Sequence, residues 1–332
     1  MRERITNSSP DSAARSRLMI LKHKASLEFA MPGPFSFELT VNKPAGWHWA
    51  TPAETFRNGK FWTGIYLDRR PVGLKMHAAG LNVRTDIYQE ATARVVDLQA
   101  LELELRKALG EEEDIKGFYK FARTEPLLDE VVSHLHGMRL GTDRDLFGRV
   151  ILAICLQMAP LKRSRQMMDL LLAEFGTPLD FDRHQVTLWP RPEVIAVLEP
   201  SILRARAKLG YRAERLISAA RHLADNSISA EKLDTLPDKE ARRMVMTIPG
   251  IGEYSAGIIL GRRDVPVDSW SVVILSELIL GSSPKNGRSD IPALNELIKK
   301  RWGWGRWRWL AFAYIVNDLP YLARKYRLSR IY

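Results

Sequence analysis

The spacing of apolar residues changes near residue 90. Before it, "FSFELTV" (35–41), "KFWTGIYL" (60–67) and "PVGLKMHA" (71–78) alternate or cluster β-formers, separated by "NKPAGW", "RNGK" and "DRRP". That pattern predicts a small antiparallel sheet. After it, apolar residues recur every three or four positions, as in "ATARVVDLQALELELRKALG", "LFGRVILAICLQM", "RSRQMMDLLLAEFG", "YRAERLISAARHLAD", "EYSAGIILGRR", "SVVILSELILG" and "WRWLAFAYIVND". Such spacing predicts amphipathic helices, and Gly, Pro, Asp and Ser interrupt them at lengths typical of short ones. The expected class is α+β, with a small N-terminal antiparallel β-sheet domain followed by a mainly α-helical body. Residues 1–25 are expected to form a mobile basic leader, 26–108 the β-rich domain and 109–332 the helical domain. No repeat of fixed period is visible.

Composition narrows the functional classes. The 332 residues suffice for at least one full core, and 45% are hydrophobic. Fifty Lys and Arg against 39 Asp and Glu leave a formal charge of +11, which favours a polyanionic partner such as nucleic acid over neutral ones. Cys155 is the single cysteine and lies in an apolar run. The chain therefore forms no internal disulfide, four-cysteine zinc site or four-cysteine iron–sulfur cluster, and a buried core thiol is expected. No run approaches 18 uninterrupted apolar residues and the N-terminus has no apolar signal core, so a soluble, intracellular protein without membrane contact is expected.

The chemistry concentrates in "MTIPGIGEYSAGIILGRRDVPVDSW" (246–270). Pro249, Gly250 and Gly252 do not extend a helix comfortably, so two short helices must join there through a tight turn. Backbone N–H groups of Gly250 and Gly252, near the positive N-terminus of a helix starting at about Glu253, suit a DNA phosphate. A purely structural turn between packed helices has the same sequence. Asp268 directly precedes an apolar helical run, where a carboxylate serves as N-cap.

A hairpin, a short helix and then "VPVD" is also the motif of the helix-hairpin-helix DNA glycosylase superfamily, and the arrangement resembles it. "LFGRVILAICLQMAPLKRSRQMMDLLLAEFG" is similar to that superfamily's helix pair carrying a Gln and a wedge residue. "LGYRAERLISAARHL" is similar to the helix preceding its hairpin. From about residue 30 onward the chain resembles the branch of bacterial 3-methyladenine DNA glycosylase II and the 8-oxoguanine glycosylases, which lacks the four-cysteine cluster of the endonuclease III and adenine glycosylase branches.

The resemblance implies a base-excision enzyme that flips a damaged, most plausibly alkylated, purine out of double-stranded DNA and hydrolyses its N-glycosidic bond. Asp268 would be the carboxylate that stabilises positive charge on the sugar. Bifunctional members carry a lysine two residues after the second hairpin glycine; Tyr254 stands there, so lyase activity at abasic sites is not expected. Tyr254, Trp270 and Trp307 are candidates for the base pocket, each with core packing as the alternative. Gln157 and Met158 match the segment that fills the emptied duplex, although Met158 also suits a helix core. Lys162, Arg163 and Arg165 are placed to meet phosphates or to form a solvated turn. The resemblance also suggests a monovalent cation, Na+ or K+, on the carbonyls of Met246, Ile248 and Gly250; no other cofactor is required. The segment between hairpin and Asp268 is shorter than in the superfamily. A monomer associated with the chromosome is expected. Two alternatives stay open: an 8-oxoguanine-type glycosylase, and a non-catalytic helix-hairpin-helix DNA-binding protein.

Overall fold

The computed structural model describes residues 17–142, 144–225, 228–261, 274–280, 292, 293, 296 and 305–328. Its N-terminal part runs β1 (Met19–Ile20), β2 (Lys22–Ala30), α1 (Phe37–Val41), β3 (Thr55–Arg57), β4 (Lys60–Leu67), β5 (Arg70–Ala79), β6 (Asn82–Gln89) and α2 (Leu98–Ala108). Strands β2 to β6 form an antiparallel sheet in the order β2-β6-β5-β4-β3. The β4–β5 turn uses Asp68 and Arg69, both left-handed (φ 48° and 64°), the backbone whose twist matches that of the flanking strands. One face of the sheet sends Phe61, Val72, Leu74, Met76, Val83 and Ile87 into a core closed by α1, Trp49 and α2.

Two expectations change here. "FSFELTV" is not a strand: Ser36 Oγ accepts the Leu39 N–H at 3.3 Å and caps α1, and a hydroxyl in that position favours the first helical turn over an extended chain. The sheet also begins earlier than Ser26. β2 starts at Lys22 and pairs with β6 from Lys22↔Gln89 to Ala30↔Asn82, so the described end of the expected leader is part of the fold.

The next segment holds α3 (Ile115–Ala122), α4 (Pro126–His134), α5 (Leu146–Leu156), α6 (Leu161–Phe175), β7 (Thr177–Phe181) and β8 (His184–Leu188). The β7–β8 hairpin interrupts the mainly helical body at a place where no strand is expected. Leu179, Phe181, Val186 and Leu188 alternate inward and pack on Trp62 and Tyr88 of the main sheet. Gly73 makes that contact feasible, because a Cβ there would stand 2.7 Å from the Phe181 ring. β7 also pairs in parallel with β1, giving a second sheet of order β1-β7-β8.

Further α-helices are α7 (Pro192–Ala196), α8 (Pro200–Arg206), α9 (Arg212–Leu223), α10 (Ala230–Thr235), α11 (Asp238–Val245), α12 (Glu253–Leu260), α13 (Arg308–Asn317) and α14 (Leu319–Tyr326), with a short π-helix at Ser276–Leu280 and a 3-10 turn at Gly305–Trp307. One helical core joins α5, α6 and α9 to α11 and α12. A second joins α3 and α4 to α13 and α14. Cys155 is buried in the first, where desolvation pushes its thiol up to about 12, as suits an inert core residue. Among the described residues no helix is long and apolar enough to cross a membrane.

A polar joint ties sheet to helices. Glu54 accepts backbone N–H groups of Trp49, Ala50 and Thr51, Thr51 Oγ1 donates to Thr187 O at 2.7 Å, and Trp189 Nε1 donates to Ala50 O at 2.9 Å. Lys43 Nζ donates to Thr40 O and Gly141 O, both at 2.8 Å, and Ala45 N–H reaches Asn317 Oδ1 at 3.2 Å.

Candidate nucleic-acid interface

The turn between α11 and α12 divides its residues by polarity. Ile248 and Ile251 are buried, whereas Pro249, Gly250 and Gly252 face outward. Two apolar anchors therefore press the turn onto the helical core and leave its glycine backbone exposed. Gly250 has φ +83°, the left-handed region that favours glycine, and a Cβ there would lie 3.1 Å from the Arg215 side chain. Gly252 is extended (φ −102°, ψ −173°) and a Cβ there would meet open space. The two glycines thus differ: the first shapes the turn and the second leaves the start of α12 uncovered. Gly252 is the N-cap of α12 and supplies no capping side chain, so the positive helix end faces outward. Glu253 is the acidic residue of that first turn, 70% exposed, and Arg242 Nη1 holds its carboxylate at 2.7 Å.

Beside this turn α5 ends at Gln157 and the chain turns into α6. Met158 has φ +49° and is 74% exposed. Core packing is thereby excluded for it. A methionine in the left-handed region costs ~1–2 kcal/mol, and here that backbone directs an apolar side chain outward. Gln157 is half-buried, and its side chain lies against the hairpin. Its Nε2 donates to Gly250 O at 2.9 Å and to Ser255 Oγ at 3.0 Å, while its Oε1 accepts from Arg215 Nη1 at 2.7 Å. Its main-chain carbonyl accepts from Arg212 Nη2 and, at 3.4 Å, from the Tyr211 hydroxyl.

Three residues without an expected role join this seam. Tyr211 is 49% exposed, and the guanidinium carbons of Arg212 and Arg215 lie 4.5 and 4.8 Å from its ring centroid. Their signal was the i, i+4 spacing of Tyr211 and Arg215 at the start of α9.

The other expected positions fare unequally. Lys162 is exposed in the first turn of α6. Arg163 is exposed too, but its guanidinium donates to Lys208 O at 2.8 Å and Gln166 Oε1 at 2.6 Å, bracing a neighbouring loop. Arg165 lies against the Gly46 turn, 3.4 Å from where a Cβ would stand. Tyr254 is half-buried in the first turn of α12. Trp307 packs at the edge of the second helical core, 6.0 Å from the Phe118 ring and under Arg306 at 4.2 Å, with Ala311 and Tyr314 fully buried on its helix. Asp268 and Trp270 lie outside the described residues. Of the three carbonyls expected to hold a cation, Gly250 O already accepts from Gln157 and Ile248 O accepts the Ile251 N–H at 3.1 Å. An ion there would use second lone pairs, which carbonyl oxygens possess. Among the described residues no three His, Cys, Asp or Glu side chains converge to hold a metal.

No protein-family model matches the chain. Over 207 residues it is 24% identical to a DNA-3-methyladenine glycosylase of Bacillus subtilis, covering 61% of this chain and 66% of that relative's length. The fold is similar to that of a 3-methyladenine DNA-glycosylase from Archaeoglobus fulgidus, with a TM-score of 0.66 at 18% identity over 88% of this chain and 98% of the other. It is equally similar to the apo form of a Clostridium acetobutylicum 8-oxoguanine glycosylase/lyase, with a TM-score of 0.67 at 15% identity over 90% and 99%. The chain resembles the helix-hairpin-helix DNA glycosylases and has their α+β fold.

Proposed function

We propose that the chain is a DNA N-glycosylase that removes a damaged purine, alkylated in the first instance, by hydrolysis. One observation carries the reading: an apolar side chain, Met158, is held outward on a strained backbone beside an exposed glycine hairpin and a cationic seam. A glycosylase must take its target out of the stack, and the vacated space needs an apolar filler. Met158 is that filler in this reading. The hairpin amides and the start of α12 position a phosphate, and Lys162 and Arg215 add charge along the strand.

Bond cleavage falls to Asp268. As the bond from sugar to base lengthens, positive charge develops on the sugar, and a carboxylate in a water-poor site stabilises that state more than the starting one. The same carboxylate aligns the attacking water and takes its proton as the new bond from oxygen to sugar carbon forms. The free base and an abasic site result. With Tyr254 in place of an amine no Schiff base forms, so the strand stays intact. A Na+ or K+ on the hairpin carbonyls would reinforce the turn and takes no part in the reaction.

The test uses duplexes carrying a methylated purine, hypoxanthine or 8-oxoguanine, followed by alkali. Cleavage after alkali is expected, with the methylated purine preferred; preference for 8-oxoguanine would move the reading to the oxidised-base class. A strand break before alkali contradicts hydrolysis by water. Binding with no base release from any duplex makes the protein a DNA-binding module instead. Asp268→Asn should lower base release by ~100-fold or more while duplex affinity persists.

A further inference from the structure

We infer that Gln157 is a positioning residue, one that couples phosphate capture at the hairpin to insertion of Met158, and not a contact to DNA. The inference rests on the proposed base extrusion and concerns how that step is driven.

The geometry leaves its amide in one orientation. Gly250 O can only accept and the Arg215 guanidinium can only donate, so Nε2 must face the former and Oε1 the latter. Both amide hydrogens are then in use, one on Gly250 O and one on Ser255 Oγ, and Ser255 is buried. The main-chain carbonyl is occupied as well, by Arg212 and Tyr211. A side chain with its donors so committed reads no base edge without breaking the seam. What it does instead is join four pieces of chain: the end of α5, the start of α9, the glycine turn and the first turn of α12.

Position supplies the coupling. Gly250 O belongs to the turn whose amides the proposed function sets against a phosphate, and Met158 is the next residue after Gln157. A displacement of the turn toward a bound phosphate is transmitted through the 2.9 Å bond to the residue that carries the strained Met158 backbone. Arg215 closes the ring, since its side chain lies beside the turn, 3.1 Å from where a Cβ on Gly250 would stand.

Gln157→Met keeps length and volume and removes every side-chain hydrogen bond; Ser255→Ala removes one and leaves the surface unchanged. Three readouts separate the roles: affinity for undamaged duplex, fluorescence of a 2-aminopurine placed next to the lesion as a report of extrusion, and base release from a paired lesion compared with the same lesion in a single-nucleotide bulge. For Gln157→Met, affinity should hold within about twofold while extrusion and paired base release fall by ~10-fold, the lower-end net worth of three lost hydrogen bonds together. Ser255→Ala should fall between. The bulge, in which extrusion costs little, should restore base release to near the wild-type rate. An affinity loss matching the loss of base release would show that Gln157 contacts DNA. A loss that the bulge does not restore, or no loss at all, would overturn the coupling. If wild-type protein releases no base from any lesion the glycosylase reading fails, and the fluorescence arm still decides the coupling.

Discussion

Two polar seams stitch this chain together, and they differ in what surrounds them. At residues 43–54 the groups are interior: Lys43 is buried, and desolvation lowers its ammonium to about 8 and raises the Glu54 carboxyl to about 7. Breaking that seam would leave buried polar groups without partners, so it is a rigid joint between sheet and helices. At Gln157 two of the side-chain partners, Gly250 and Arg215, are exposed to solvent, and only Ser255 is buried. The two exposed bonds exchange with water at little net cost. The first seam holds the fold, and the second, under the proposed function, is the one that rearranges on a duplex.

The comparison can be broken most severely at the joint's apolar side. Gly73→Val would push a side chain into the Phe181 ring, with an expected loss of ~3 kcal/mol of stability in denaturant titration. A neutral result would mean that the β7–β8 hairpin is not fixed to the sheet. At the seam, Gly250→Ala should cost ~1–2 kcal/mol through its left-handed backbone, and Gly252→Ala under ~1 kcal/mol, while both weaken duplex binding irrespective of sequence. Equal destabilisation by the two would contradict the division of labour between them.

The joint also predicts a pH dependence. Burial, then the Lys43 and Arg165 charges, hold the His48 imidazole down to about 4 from an ordinary 6.5. The unfolded chain therefore takes up a proton that the folded one refuses as pH falls from 6.5 to about 4, and stability drops on acidification. Glu54 acts oppositely: burial raises its carboxyl from 4.5 to about 7, so the folded chain keeps a proton the unfolded one loses, and stability drops as pH rises through that window. Between about pH 5 and about pH 6.5 the two offset, so their joint contribution to the melting temperature should be nearly flat. In His48→Phe the Glu54 contribution is no longer offset, so melting temperature should fall more steeply with rising pH than in the wild type; an unchanged slope would reverse the assignment. The smallest effect expected is at Glu253, whose carboxylate competes with a phosphate at the α12 N-terminus. Glu253→Gln should tighten duplex binding by about two- to threefold at low salt, with the gain vanishing at high salt. Unchanged affinity at low salt would place the phosphate elsewhere.

Sequence and structure agree where signals are local. The hairpin was legible because Pro249 and Gly250 stop one helix and the apolar spacing resumes at once. The strands β4 and β5 were legible from clustered β-formers around a two-residue turn. "FSFELTV" was misread because its apolar clustering outweighed a single capping serine. The β7–β8 hairpin was missed although Leu179 and Phe181 alternate, because five-residue strands between long helices carry a weak signal. Met158 was legible only as an ambiguity, core or wedge, since the end of an apolar helix suits both. Asp268 and Trp270 keep the standing that the motif confers, outside the described residues.

By itself the sequence determined the class of fold, the place of the glycine turn and that its single cysteine makes no four-cysteine cluster. These follow from backbone preferences and residue identities within a few positions of one another. Only the tertiary structure decided that Gly250 and not Gly252 needs its glycine, that Met158 faces outward, and that Gln157 binds the hairpin and not the surface. Its partner Gly250 lies 93 residues along the chain. A side-chain amide takes whichever donors and acceptors the folded chain brings to it, and packing of distant helices makes that selection.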